Sequence, residues 1–230
     1  YDRGSQTAQA MPLVLNLVDE SKRKALAASL AGVVRKNGTR VTAGDVGFMY
    51  LVRSLTEAGY NDLLYDLGCQ ENGPGYAEQL RKNATTLTEA WDANPASAQN
   101  HCMLGHAEEW FYNGLAGIGT DADKPGFKRV IVKPAFVPAL DYVQAHHDSP
   151  FGRIEVFWKR QGREIVLQVT VPANCEARVF LPARSMTAIK ESGQPVKFHN
   201  GVRRSGVGQA HRWFDIGSGC YTFQFPDSPG

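Results

Sequence analysis

The spacing of apolar residues changes once along this chain, at Asp123-Lys124-Pro125-Gly126, and that change constrains the fold more than any other feature. Before it, apolar residues recur every three or four positions, the period of a helix with one buried face. After it they alternate, the period of a strand with one buried face. One kind of layer cannot satisfy both patterns. The chain therefore reads as a helical domain over residues 1–126 followed by a β domain over residues 127–230. A length of 230 residues is sufficient for two such domains.

Within the helical half, the pattern predicts helices over residues 7–18, 21–36, 46–58, 61–67 and 97–115. Ala25, Leu26, Leu30, Val33 and Val34 form the apolar stripe of the second, and Asn37-Gly38 stops it. Asp45 stands as a candidate N-cap for the third. Residues 70–75, rich in Gly, Pro and Asn, read as a loop. Short connections between successive helices imply antiparallel neighbours.

In the second half, Ile154, Val156 and Trp158 alternate with Glu155, Phe157 and Lys159. Arg160-Gln161-Gly162-Arg163 reads as a hairpin connection, and Ile165, Leu167, Val169 and Val171 face inward on the return. Further strands are expected at 130–132, 177–181, 196–198, 210–214 and 221–225. Short strands at regular spacing, separated by Gly and Pro turns, predict an antiparallel β-sandwich.

Several functional classes lack support. A net charge of +2 without blocks of like charge provides no electrostatic footprint for nucleic acid or a membrane surface. No apolar run approaches the roughly 18 residues that span a bilayer. Cys69, Cys102, Cys175 and Cys220 are widely spaced without a metal-ligand pattern, and are expected to be buried free thiols. No Gly-rich phosphate loop and no Gly-x-Ser-x-Gly occur, so no cofactor and no metal are expected. The start at Tyr1-Asp2-Arg3, without Met, reads as lying inside a longer polypeptide. The compartment stays open, with periplasm or exterior favoured over cytoplasm.

Chemistry concentrates in Ala84-Thr85-Thr86-Leu87-Thr88-Glu89-Ala90-Trp91-Asp92, where carboxylates flank a large aromatic. Glu89 has two readings of equal weight. Thr86-Leu87-Thr88-Glu89 fits a capping box, in which Glu89 turns back on the Thr86 backbone. Alternatively, Glu89 is a catalytic carboxylate. Trp91 is a core residue or a stacking platform for a sugar. His101 and His106, five apart, stand about 140° from each other on a helix and so cannot form a metal pair on one face. A lone His there is ordinarily a hydrogen-bonded structural residue. His146-His147-Asp148 reads as lying in the loop entering the sandwich, with a turn at Asp148-Ser149-Pro150.

The same stretch resembles a family. Gly75-Tyr76, the run from Ala84 to Asp92, Asn100-His101 and Gly105-His106-Ala107-Glu108-Glu109-Trp110-Phe111-Tyr112 occur in the order found in bacterial α-L-rhamnosidases, glycoside hydrolase family 78. Leu115-Ala116-Gly117-Ile118, Pro125-Gly126-Phe127-Lys128, Val130-Ile131-Val132-Lys133-Pro134 and Asp148-Ser149-Pro150-Phe151-Gly152 continue the match. Upstream, Gly4-Ser5-Gln6-Thr7-Ala8 and Thr42-Ala43-Gly44-Asp45-Val46-Gly47 are also similar. Thr88 departs from the pattern, standing where many members have Trp.

The resemblance implies an (α/α)6 barrel followed by an antiparallel β-sandwich, and inverting hydrolysis of terminal α-L-rhamnosyl residues. It implies Glu89 as the general base, with Trp91 and His101 lining the rhamnose pocket. A full barrel needs two layers of six helices, and only about half that number is legible before residue 126. The expectation is therefore the C-terminal half of the barrel plus the sandwich, with the general acid on the N-terminal remainder of the same enzyme. The partners implied are a rhamnose-containing carbohydrate and that remainder. Two alternatives stay open: a non-catalytic carbohydrate-binding or scaffolding module, and another (α/α)6-barrel glycosidase or polysaccharide lyase.

Overall fold

The computed structural model describes residues 4–182, 188–196, 201–208 and 211–227. It divides into two compact units, Tyr1–Trp110 and Phe111–Gly230. The division falls ahead of the change in hydrophobic period. The reason is β1 (Ile118–Thr120), which pairs antiparallel with β2 (Arg129–Val132) and so belongs to the sheet unit.

The helical unit opens with α1 (Gln6–Val14), capped by the Ser5 hydroxyl, which accepts the Ala8 N–H at 3.1 Å. Asn16, at φ 55°, ends the run earlier than the apolar pattern predicts. The second helix, α2 (Glu20–Lys36), buries Ala27, Leu30, Ala31 and Val34 on one face. Phe48, Leu51, Val52 and Leu55 form the buried face of α3 (Asp45–Glu57), and α1 packs on it. Gly47 permits that approach, because a Cβ there would lie 2.2 Å from the Thr7 hydroxyl. Leu63, Leu64 and Leu67 anchor α4 (Asn61–Gly68). No described helix is long and apolar enough to cross a membrane.

Two features of this unit depart from the sequence reading. A short helix, α5 (Tyr76–Arg81), follows the Gly-rich loop. Six residues are too few to show a period, and this helix draws support from Glu78, which pairs with Arg81 at 2.8 Å and Lys82 at 3.2 Å. The long helix expected over 97–115 does not form. Residues 97–101 are irregular, Cys102–Leu104 make a 3-10 turn, and only α6 (Ala107–Trp110) is α-helical. The reason is long-range pairing: the Leu87 carbonyl accepts the His101 N–H at 2.8 Å, and the Ala98 carbonyl accepts the Glu89 N–H at 2.9 Å. Backbone groups engaged that way are unavailable to an i→i−4 ladder.

The sheet unit starts with a π-helical turn, Phe111–Ala116, and continues through eleven strands among the described residues. These are β1, β2, β3 (Tyr142–Ser149), β4 (Gly152–Gln161), β5 (Glu164–Val171), β6 (Glu176–Leu181), β7 (Lys190–Glu191), β8 (Gln194–Pro195), β9 (Val202–Val207), β10 (Arg212–Ile216) and β11 (Gly219–Pro226). They form a five-stranded sheet, β1-β2-β6-β10-β9, and a six-stranded sheet, β3-β4-β5-β11-β7-β8.

The sandwich is mixed rather than wholly antiparallel, because β2 runs parallel to β6. A parallel neighbour requires a crossover, and the chain makes it through β3, β4 and β5 of the other sheet. The expected alternation is observed on β4, where Ile154, Val156 and Trp158 are fully buried. Gly162-Arg163 form the two-residue turn between β4 and β5, with Gly162 at φ 64°.

His146 and His147 lie within β3, not in a loop, and the turn falls at 149–152, overlapping the expected 148–150. The edge strand β3 alternates between exposed and half-buried positions without an apolar face, so its period carries little hydrophobic signal. Of the strand expected at 196–198, residues 197 and 198 lie outside the described residues, as does residue 210. The expectation for the cysteines also changes. All four are free, but only Cys175 is buried.

The core joins both sheets. Trp158 donates its indole N–H to the Leu115 carbonyl at 2.9 Å, Phe136 packs edge-on against it at 5.2 Å, and Phe214 meets Phe223 at 6.0 Å. Gly117 closes the start of β1. It sits at φ 71°, and a Cβ there would fall 2.2 Å from the Lys133 carbonyl carbon. Gly117→Ala is therefore expected to destabilise the sheet unit by at least about 2 kcal/mol, through a left-handed backbone plus a clash with rigid main chain. Gly126→Ala, at φ 70° with open space around it, carries only the first penalty. Equal falls in the unfolding midpoint of the two variants would refute this account of Gly117.

Candidate active site

The geometry of the helical unit's polar loop starts at a buried glutamine. Gln6, fully buried on α1, accepts the N–H groups of Thr42 and Ala43 at 2.8 and 3.2 Å, and donates to the Arg40 carbonyl at 2.8 Å. A buried amide so fully used fixes the course of residues 40–43. The Ala43 carbonyl then accepts the Trp91 indole N–H at 2.9 Å. Trp91 in turn packs edge-to-face on Phe48 at 4.8 Å and on Tyr76 at 5.3 Å.

Tyr76 closes this aromatic cluster by donating its hydroxyl to the Leu104 carbonyl. Burial drives the Tyr76 phenol pKa far above its ordinary value, so it stays a neutral donor. Trp91 is only 8% exposed. Its ring is thus a strut holding the loop on α3, and little of it is open to solvent.

On this support, residues 84–101 fold back on themselves. Besides the Leu87–His101 and Glu89–Ala98 backbone bonds, the Thr86 hydroxyl donates to the Gln99 carbonyl. Thr88 is buried and donates to the Ala90 carbonyl at 2.7 Å. Lys82 fastens the far end by donating to the Asp92 carbonyl at 2.9 Å. No helix starts at Thr86, so the capping-box reading of Glu89 does not hold.

Glu89 is exposed, and its carboxylate faces a backbone donor. Oε2 accepts the Ala98 N–H at 3.1 Å, while Oε1 takes no hydrogen bond among the described residues. One oxygen is anchored and the other is available. That arrangement suits a carboxylate that accepts a proton from a water.

His101 returns to the same loop. Its Nε2 lies 3.4 Å from Asp45 Oδ2, at the start of α3, yet makes no hydrogen bond although that atom is buried. The contact is within ion-pair distance but misaligned. Asp45 Oδ1 is occupied by the Val46 N–H at 2.8 Å. A buried imidazole nitrogen without a well-aligned hydrogen bond carries a desolvation cost.

His106, by contrast, is satisfied locally through Nδ1 against the Met103 carbonyl at 2.8 Å. Glu109 is engaged by Arg53 at 2.8 Å, whose guanidinium pKa that hydrogen bond raises, while Glu108 is exposed.

The structure thus brings Glu89, Trp91 and His101 onto one loop. Sequence reasoning missed the supporting role of Gln6 and Tyr76 and the approach of Asp45 to His101. The available signal was two glutamines, Gln6 and Gln9, at the start of a first helix that is otherwise mostly apolar.

The same chain matches known proteins over nearly its whole length. Residues 1–115 match the bacterial alpha-L-rhamnosidase 6 hairpin glycosidase domain, and residues 117–195 match the bacterial alpha-L-rhamnosidase C-terminal domain. An alpha-L-rhamnosidase of Alteromonas sp. (strain LOR) is 28% identical over 96% of this chain, and one of Streptomyces avermitilis is 27% identical over 95%. The chain spans only 23% and 21% of the length of those two relatives. Among solved structures, Streptomyces avermitilis alpha-L-rhamnosidase in complex with L-rhamnose superposes with a TM-score of 0.85 at 25% identity, covering 96% of this chain and 21% of that one. The alpha-L-rhamnosidase from Dictyoglumus thermophilum gives 0.85 at 28% identity, covering 96% and 25%.

Proposed function

Since the chain belongs to the bacterial alpha-L-rhamnosidase 6-hairpin glycosidase family, we propose that it supplies one wall of the active site of an inverting α-L-rhamnosidase. The helices of the first unit form the C-terminal half of an (α/α)6 barrel. The sugar released is a terminal α-L-rhamnosyl residue of a glycoside or oligosaccharide, in keeping with the L-rhamnose held by the Streptomyces avermitilis relative.

Glu89 is the general base. The observation that carries this role is its divided carboxylate, with Oε2 tied to the Ala98 N–H and Oε1 open. Water bound at Oε1 gives up a proton to the carboxylate as its oxygen attacks the anomeric carbon, and the glycosidic bond breaks on the opposite face. His101 lines the sugar pocket, with its Nε2 beside Asp45 Oδ2 at 3.4 Å. Trp91 forms the buried side of the pocket by holding the loop against Phe48.

Inversion also needs a carboxylic acid to protonate the leaving oxygen, roughly 6.5–9.5 Å from the base so that a water fits between. We place that acid in the barrel half that the relatives possess beyond the span matched here. The intact enzyme carrying this chain is expected to release β-L-rhamnose first from an aryl α-L-rhamnoside, as read by proton NMR during the first turnovers. Initial release of the α-anomer would refute the inverting reading.

A further inference from the structure

The sheet unit contains a cavity of about 280 Å³ that the proposed reaction does not use. Its wall includes Lys124, Lys128 and Arg203, with Glu176 as the one carboxylate. Three cations against one anion leave a local surplus of positive charge. We propose that this pocket binds the oxyanion of an acidic sugar residue, with Lys128 and Arg203 as its ligands.

The ion pairs show which cations remain available. Glu176 is already engaged: its Oε1 takes both Lys124 at 2.6 Å and Arg129 at 2.7 Å, and its Oε2 faces Arg203 at 3.6 Å. The Lys124 hydrogen bond, followed by that of Arg129, holds the Glu176 carboxyl below its usual range and therefore ionised at neutral pH. Arg203, too far for a hydrogen bond, has a side chain 62% exposed. Its guanidinium lies against Gly217, where a Cβ would come within 2.9 Å. Among the described residues Lys128 donates only to the Asn174 carbonyl, at 2.5 Å, which uses one of its three N–H donors. Lys128 and Arg203 are thus the cations with donors left for an anion.

Size and surroundings favour a sugar over a bare ion. About 280 Å³ is at the small end of ligand cavities and suits a single ring. Phe151, 41% exposed, lies beside the Lys128 ammonium at 5.0 Å from the ring centroid. A flat, exposed aromatic next to a free cation offers a stacking surface and a charge together. The choice of a sugar over other anions rests on the proposed glycosidase reading. The site itself does not.

Saturation-transfer NMR on the full chain tests this, with D-glucuronate, glucose 6-sulfate, glucose and inorganic sulfate as probes. Both acidic sugars are expected to respond and neutral glucose is not. The variant carrying Lys128→Ala and Arg203→Ala should bind them about tenfold or more weakly, because charge-assisted hydrogen bonds are lost. Both residues are exposed, so an unchanged unfolding midpoint is expected and checks the fold.

A stronger response to glucuronate identifies a uronate as the ligand; a stronger one to glucose 6-sulfate identifies a sulfate ester. Binding that survives the double variant, an equal response to glucose, or sulfate ion binding as tightly as the sugars would overturn the proposal. Hydrolysis of an aryl rhamnoside by the intact enzyme should persist when it carries the double substitution. That separates failure here from failure of the rhamnosidase reading, which Glu89→Gln tests alone.

Discussion

In the intact enzyme, Glu89→Gln is expected to lower kcat for an aryl α-L-rhamnoside by roughly 10²–10⁴-fold, the usual contribution of a positioned acid or base. KM should change little, because the amide keeps an oxygen that can accept the Ala98 N–H now bound by Oε2. The fold should be unaffected, since the side chain is exposed and its backbone bond to Ala98 does not involve the carboxylate. The substitution removes one property, the capacity to take a proton, and leaves shape almost constant. Near wild-type turnover in this variant would remove Glu89 from the chemistry and leave it as a loop tie.

Trp91→Ala is expected to have the largest effect on stability. Loss of a buried Trp side chain costs about 3–5 kcal/mol. Here it also leaves the Ala43 carbonyl without its indole donor and opens a gap between Phe48 and Tyr76. The loss should be local, reported by faster amide exchange across residues 84–101 and by proteolytic cleavage there. Activity should fall as a consequence, because Glu89 and His101 ride on that loop. Trp91→Phe keeps most of the aromatic packing and loses the hydrogen bond, at a cost of about 1 kcal/mol. If both variants unfolded as the parent does and raised only KM, Trp91 would be a stacking platform and not a strut.

These two residues show how far the sequence could be read. Glu89 stood at even weight between capping and catalysis, because Thr-x-x-Glu is satisfied by either. The tie is broken by Ala98, nine residues later, which takes the place of the Thr86 backbone as partner. Trp91 was left between core and platform for the same reason: a residue type does not reveal which side of it is covered. His101 was placed on a helix because 97–115 carries apolar residues at helical spacing, yet its N–H belongs to Leu87.

Periodicity was reliable where one face of an element is buried continuously. On α3, Phe48, Leu51, Val52 and Leu55 are buried as their spacing predicts, and on β4 so are Ile154, Val156 and Trp158. It was silent where burial is partial or the element short, as in α5 and β3. It could not reveal the parallel pairing of β2 with β6, since strand direction leaves no trace in alternation.

The sequence by itself thus determined two things: a helical unit followed by a sheet unit, and the stretch from Ala84 to Asp92 as the place where chemistry concentrates. Both depend on local spacing and residue type, which each segment carries alone. Tertiary structure decided the rest. Gln6 holds residues 40–43, Ala43 holds Trp91, and the loop on Trp91 leaves one oxygen of Glu89 anchored and the other open. Those links join residues 36, 48 and nine positions apart, and hydrogen-bond geometry across such separations exists only once the chain has folded.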